Sequence, residues 1–456
     1  RPIVPLVKID TSTEDKGETD FEGWCHNLSR SLGLKPPKIE VHLNYSLVKV
    51  DDDNVISNPL TPVGFEVATL KNRQMMTPDC LKGTNHQIMS YQIKLQKGFH
   101  YQTGEMIEIL PENPPDFVEK VLNTLKLNGD HIFALIANDS TVHTFVPEKV
   151  SVKQLFSQYL DLCGPPDRSL LRAFLTVANK EGTDRINKML DVKQDEGVKQ
   201  YMKNVNTCEF ICEFSQYGIP SVELLLSGCH HIKPRQYLIS SSPMRNQNIA
   251  NILVLNHKFG INNKRNGMCT SYLERPKLKN IHVRISKSSF ELPDDCKAPI
   301  IMVAVGCGIA PMLSIIQNRG PQNGPSLLIF GSTSKEVHKK LTDEIDKEIA
   351  NGCVTDVLYA WSNEKIIESD ILQRASSSEI EKDTGAKIKE VIMKNKEKVW
   401  KYWFDDRTSL YYCGIPGHLP DEIKELLLKI TIEEGGLSIE EAMAINNRHQ
   451  MFVEAF

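Results

Sequence analysis

The run Ile300-Ile-Met-Val-Ala-Val305 constrains the fold of this chain more than any other stretch. It is apolar without a break, as expected of a parallel strand buried on both faces. It is followed by Gly306-Cys307-Gly308-Ile309-Ala310-Pro311, with a helix expected to start near Pro311. Three later segments repeat the plan. Ser326–Phe330 ends in Gly331, Val354–Ala360 ends in Trp361-Ser362, and Leu410–Tyr412 ends in Cys413-Gly414, each before a helical segment. This alternation predicts a doubly wound, parallel-sheet domain over 296–456. Ligands are expected at the C-terminal ends of its strands.

The chain is 456 residues long, too long for one ordinary core, so two or three domains are expected. Upstream of 296 the pattern changes twice. Residues 38–115 carry strand-like alternation in Ile39–Leu43, Gly64–Leu70, Ile88–Leu95 and Met106–Leu110. Residues 116–217 turn helical, with apolar residues at helical spacing in Phe117–Leu127, Val152–Leu162, Ser169–Asn179 and Thr183–Met189. Strand candidates return over 218–295, at Tyr237–Ser241, Ile249–Leu255 and Ile281–Ile285. At the start, Phe21, Trp24, Leu28 and Leu32 fit a short amphipathic helix within residues 1–37.

The composition excludes several classes. Hydrophobic content of 40% and charged content of 25% are those of an ordinary globular chain. A net charge of −4 and the lack of a polybasic block give no reason to expect a nucleic-acid partner. No apolar run near the middle approaches the length of a membrane span, and no signal peptide is read at the start, so a cytoplasmic location is expected, with a membrane tether upstream of this chain left open. The 11 cysteines are odd in number, irregularly spaced and without a Cys-x-x-Cys, which predicts free thiols in a reducing compartment and no metal site. A chain opening on Arg1 is expected to be a fragment or a processed product.

Three stretches carry the chemistry. In Arg235-Gln-Tyr-Leu-Ile-Ser-Ser-Ser-Pro243 the arginine and the tyrosine lie two apart, so on a strand they share a face. Such a strand offers a guanidinium to a diphosphate and a ring to a flat cofactor. Gly267-Met268-Cys269-Thr270 and Gly306-Cys307-Gly308 supply small residues where a backbone must approach a phosphate closely. In order and spacing these stretches resemble the ferredoxin-reductase-like module of the diflavin reductases. That family includes the cytochrome, sulfite and methionine synthase reductases and the reductase halves of nitric oxide synthases. The resemblance implies a multidomain α/β and β-barrel fold: an FAD barrel interrupted by a helical insert, then an NAD(P)H-binding domain. It also implies that residues 1–37 are the tail of an FMN domain and a linker.

By resemblance, Arg235 contacts the FAD diphosphate, Tyr237 stacks on the flavin, and Leu238, Ile239 and Ser240 continue the flavin strand. Gly267, Met268, Cys269 and Thr270 hold the FAD diphosphate, and Gly306, Cys307 and Gly308 hold that of the dinucleotide. Ser362 and Asn363 stand at the 2′-phosphate position. Cys413 lies beside the nicotinamide, with Glu454 and Phe456 as the terminal acid and the ring that covers the flavin. Several positions depart from the family. Leu238 replaces a serine near the flavin N5, Cys307 a threonine, Ile415 an aspartate and Asn363 an arginine, while Glu368 and Asp370 stand for a lysine and a tyrosine, with Lys365 as a partial compensation. The function implied is hydride transfer from NADPH, with NADH open as an alternative, to FAD. Electrons then pass to an FMN domain or protein and on to a heme or cobalamin protein. The competing expectation is an FAD-binding scaffold with a degenerate nucleotide site.

Overall fold

The computed structural model describes residues 24–25, 28–34, 43–50, 64–82, 84, 86–138, 147–191, 196–256, 258–259, 265–363 and 377–455. Contacts divide the chain into two units, 1–63 with 111–233 and 260–264, and 64–110 with 234–259 and 265–456.

The first unit is built on helices whose apolar faces share one core. Phe156, Phe174, Phe210 and Phe214 are fully buried there. Phe174 meets Phe210 edge-on at 5.4 Å, and Phe210 stacks on Phe214 at 4.3 Å, arrangements that suit the ring quadrupole. The helix Thr207–Phe214 starts in a capping box between Asn206 and Glu209. An antiparallel sheet of Tyr45–Lys49, Ile132–Ala137 and Lys149–Ser151 completes the unit. Two boundaries differ from those expected. The strand expected at Ile39–Leu43 lies outside the described residues but for Leu43, which is in no strand; the strand observed at Tyr45–Lys49, within the span expected to open the barrel, pairs in this unit because Tyr45 and Leu47 turn towards the helical core. Helix Val222–Gly228 buries Leu225 and Leu226 in that core too, so the unit runs to Lys233 and not to 217. Of the expected N-terminal helix, Phe21 lies outside the described residues.

The second unit begins with strands β1 (Glu66–Met75), β2 (Ile88–Lys94), β3 (Met106–Leu110), β4 (Arg235–Leu238), β5 (Ile249–Leu255) and β6 (Asn280–Ser286). They form one antiparallel sheet in the order β4-β3-β6-β1-β2-β5. A bridge between Ile239 and Ile252 joins the two ends, and the Ser240 N–H donates to the Asn251 carbonyl at 2.7 Å. The sheet is thereby closed into a barrel, leaving no open edge. Strand periodicity sorts its side chains. Tyr91, Ile93, Ile107, Ile109, Ile252 and Val283 fill the interior, while Ile88, Met106, Leu238 and Leu253 face outwards and are buried in a second core.

That second core is shared with the parallel sheet. Strands β7 (Ile300–Val305), β8 (Ser326–Ser332), β9 (Asp356–Trp361), β10 (Ser409–Gly414) and β11 (Gln450–Ala455) lie in the order β9-β8-β7-β10-β11, all parallel. Ile300, Met302 and Ala304 pack with Ile309, Met312, Leu341 and Ile345 on one face. Ile301, Val303 and Val305 pack with Ile388, Ile392, Ile423 and Leu427 on the other. Both faces of β7 are covered, which is why its sequence does not alternate. The strand order reverses beside β7: β8 leaves on one side and β10 returns on the other. Strand β11, at the sheet edge, occupies the segment where the sequence predicts only a chain end bearing a covering ring.

Candidate functional site

The reversal of strand order opens a crevice at the end of β7, and the chain turns there through Gly306–Gly308 before helix Ile309–Arg319. Gly306 has φ +54°, in the region that favours glycine. Gly308 is needed for a different reason. A Cβ on it would lie 2.1 Å from the Cys413 carbonyl oxygen and 2.5 Å from that carbonyl carbon. The turn thus rests directly on the end of β10. The Ile309 N–H is already taken by the Gly306 and Cys307 carbonyls and Pro311 carries none, so the glycine turn itself is the part that can approach a phosphate.

The crevice is one wall of a cavity of about 450 Å³, within the usual range for a cofactor pocket. The barrel lines the opposite wall with Arg235, Gln236, Tyr237 and Leu238 from β4, and Leu253 and Leu255 from β5. The short helix Met268–Leu273 and its N-cap contribute Gly267, Met268, Cys269 and Thr270. The sheet side contributes Gly306, Cys307, Gly308, Cys413, Gly414 and Ile415, with Ser332, Thr333, His338 and Thr384 beyond them. Eleven of the residues singled out from sequence therefore meet in one cavity.

Within this cavity the tyrosine and cysteine side chains are held neutral. Burial pushes the half-buried Tyr237 phenol well above its ordinary value, and the neighbouring Cys269 adds to the effect. The phenol shares a hydrogen bond with the Cys269 thiol. Burial pushes Cys269 to about 11, opposed by that hydrogen bond and by the charge of Arg235. Cys307 is pushed to about 12 by burial alone. Cys413, 1% exposed, is raised first by burial and then by Glu454 and Cys307. These thiols stay protonated at neutral pH, so they are packing and hydrogen-bonding groups there and not nucleophiles.

Five sequence candidates fall elsewhere. Ile239 is fully buried in the barrel interior, and the buried Ser240 donates its backbone N–H across the barrel seam, because the strand has by then bent across it. The Ser362 and Asn363 N–H groups donate to the carbonyls of Ser332 and Thr333 at 2.9 and 2.8 Å, which extends the β8–β9 ladder; neither residue lines the cavity. Glu454 is opposite Cys413 in the β10–β11 register, and its carboxylate accepts the Ser289 N–H. It too is outside the cavity lining. Phe456, Lys365, Glu368 and Asp370 lie outside the described residues.

The residues that sequence reasoning missed are His86 and His338. His338 is 5% exposed, its Nδ1 lies 3.0 Å from the Ser332 hydroxyl, and its ring meets Phe330 edge-on at 6.3 Å. Burial lowers its pKa to about 4. A lone histidine in a turn, next to the charged helix Lys339–Ala350, gives no sequence signal that it faces this cavity. Among the described residues no cluster of three or more His, Cys, Asp or Glu side chains could hold a metal ion, and no helix is long and apolar enough to cross a membrane.

Residues 62–272 match the model of the FAD binding domain family. The chain is 26% identical over 422 residues to an NADPH–cytochrome reductase of Dictyostelium discoideum, an alignment covering 89% of this chain and 59% of that protein. It is 23% identical to the sulfite reductase [NADPH] flavoprotein alpha-component of Zymomonas mobilis, over 96% of this chain and 67% of the relative. It is also 23% identical to the methionine synthase reductase of Rattus norvegicus, with 96% and 69% covered. The chain thus spans about three fifths of the Dictyostelium relative and about two thirds of the other two.

Proposed function

We propose, for a chain that belongs to the diflavin reductase family, that it is an FAD-carrying reductase module: it takes a hydride from NADPH or NADH and passes electrons to an FMN-bearing domain or protein. That carrier would in turn serve a heme or cobalamin protein. The observation that carries this reading is the cavity itself. It joins a cation and ring on the barrel to a glycine turn at the switch point of a parallel sheet.

The residues present fit both ligands. Gly308 lets the turn rest on the β10 backbone, and at Gly306 nothing lies within 4 Å of where a Cβ would stand, so the turn leaves room there for a diphosphate. Tyr237 offers an uncharged ring, and the lining is mostly apolar, which suits a flat heteroaromatic. When bound, FAD supplies the ability to accept a hydride and release electrons singly. The protein's work is placement. Arg235 balances diphosphate charge, and Thr270 and the free N–H groups beside it donate to the same group. The Gly306–Gly308 turn holds the dinucleotide's diphosphate. Cys413, a neutral thiol at the end of β10, borders the place where the nicotinamide would meet the flavin. Leu238 and Leu253 exclude water from that contact. We assign the domains accordingly: a barrel and an NAD(P)H-binding half in the second unit, and a connecting helical unit that receives the FMN carrier.

The test is a spectrum. The purified chain, loaded with FAD, is titrated anaerobically with NADPH and with NADH. Bleaching of the flavin band supports the module. A yellow protein that neither nucleotide bleaches would favour the scaffold alternative, and a chain that takes up no FAD would end both.

A further inference from the structure

We propose that Cys208 and Cys212, in the helical unit, form a modification site for peroxides: Cys212 is oxidised first, and Cys208 then closes a disulfide onto it. The site lies in the first unit and rests on nothing in the flavin or nucleotide reading.

Both cysteines stand on the helix Thr207–Phe214, four residues apart. That spacing puts them on one face with their Cα atoms about 6 Å apart, a distance that a disulfide spans. Facing them is the helix Pro115–Leu125, which brings Phe117, Lys120 and Thr124 to the same stripe at three- and four-residue spacing. The Cys208 thiol donates to the Phe117 carbonyl at 3.8 Å. The Thr124 hydroxyl donates to the Cys212 sulfur at 3.4 Å. Burial separates the two roles. Cys208 is 1% exposed in the helical core, whereas Cys212 is only half-buried at its margin. An oxidant arriving from solvent therefore meets Cys212 first.

The surroundings favour the same order. Hydrogen bonding from Cys208, then from Thr124, and the charge of Lys120 hold the Cys212 thiol below its ordinary value, against burial and the charge of Glu209. Cys208 is pushed up by Cys212 and by burial. The helix dipole is not the cause, because Cys212 lies in the last turn, where the dipole opposes negative charge. The thiolate is the nucleophile. The Cys212 thiolate attacks one peroxide oxygen; an S–O bond forms, the O–O bond breaks, and hydroxide leaves to become water. The Cys208 sulfur then attacks the Cys212 sulfenic acid. An S–S bond forms, the S–O bond breaks, and the departing oxygen takes the Cys208 proton as a second water. The two sulfurs lose two electrons in all and the peroxide gains them.

The experiment uses the whole chain, reduced, desalted and treated with hydrogen peroxide, then alkylated and digested after glutamate. Cleavage at Glu209 parts the two cysteines, so the bond appears as a linked peptide pair in the mass spectrum. Linkage is expected about five-fold or more faster than oxidation of Cys80 or Cys296, although both of those are exposed. Cys208→Ala is expected to lose the linked pair and leave at Cys212 a sulfenic acid that dimedone captures. Thr124→Val, checked for unchanged melting, is expected to slow linkage about three-fold or more. Oxidation of Cys80 and Cys296 with no linked pair in the wild-type chain would overturn the proposal, and would leave the two thiols as packing groups. So would linkage no faster than the oxidation of those two cysteines. The wild-type measurement decides even if a variant fails to fold.

Discussion

Replacing Gly308 with alanine should damage the nucleotide half and spare the flavin half. The added methyl would sit 2.1 Å from the Cys413 carbonyl oxygen. A carbon and a carbonyl oxygen ordinarily meet at about 3.3 Å or more, so the overlap is about 1.2 Å. The obstacle is the backbone of β10 and not a side chain that could rotate away, and Gly414 N is only 3.0 Å off on the same side. Overpacking of this kind costs about 1–3 kcal/mol, and a rigid neighbour puts it near 3. For a unit of this size that is a fall of roughly 6–12 °C in the melting midpoint. The displaced turn would also lose hydrogen bonds to a diphosphate, about 1.5–3 kcal/mol each, or roughly ten- to a hundred-fold in affinity for adenosine 5′-diphosphate. Gly306→Ala is the control. Its φ of +54° carries strain for alanine, but nothing lies within 4 Å. It should cost about 1–2 kcal/mol of stability without pushing the turn away from β10, so its melting midpoint should fall less than that of Gly308→Ala. Scanning calorimetry, nucleotide titration and FAD content on both variants decide the matter. A Gly308→Ala protein that melts and binds nucleotide as the wild type does would refute the reasoning.

Leu238→Ser should speed flavin bleaching by reduced nucleotide about ten-fold or more, because a hydroxyl near the reacting atom replaces a group that cannot hydrogen-bond. It should also lose about 2–4 kcal/mol, since Leu238 is 5% exposed in a shared core; stopped-flow absorbance and thermal melts read the two effects separately. Tyr237→Ala should release FAD on dialysis, measured as the flavin-to-protein ratio. Acid stability should depend on Glu108, a buried barrel residue bound by Arg284 and Gln236. Burial alone would raise its pKa, but these bonds hold it below the ordinary 4.5. Its contribution is therefore complete above pH 4.5 and drains away as pH falls through the lower folded value. Glu108→Gln should cost about 1–3 kcal/mol at pH 7 and flatten the acid limb of a pH–stability curve.

Much of this was legible where one local rule governs a stretch. The unbroken apolar run at β7 announced a doubly covered strand, and the glycine spacing after it announced a turn against a neighbour. Arg235 and Tyr237 share a strand face by period two, and Gln236 and Leu238 from the other face line the same cavity. What escaped was set by distant pairing. The strand at 45–49 reads like any barrel strand, and only its partner at 132–137 assigns it to the helical unit. Ser240 reads like a ligand donor, yet its backbone N–H closes the barrel and the residue stands outside the cavity lining. Edge strand β11 is too short and mixed to declare itself, and His338 faces the cavity only because helix Lys339–Ala350 packs where it does.

The outer face of the barrel and one face of the parallel sheet bury Met106, Leu238, Leu253 and Phe290 together with Ile300, Met302 and Ala304. Neither half can be expressed alone without presenting a greasy surface to water. A truncation that ends before β7 would yield insoluble material, however complete its flavin-binding residues.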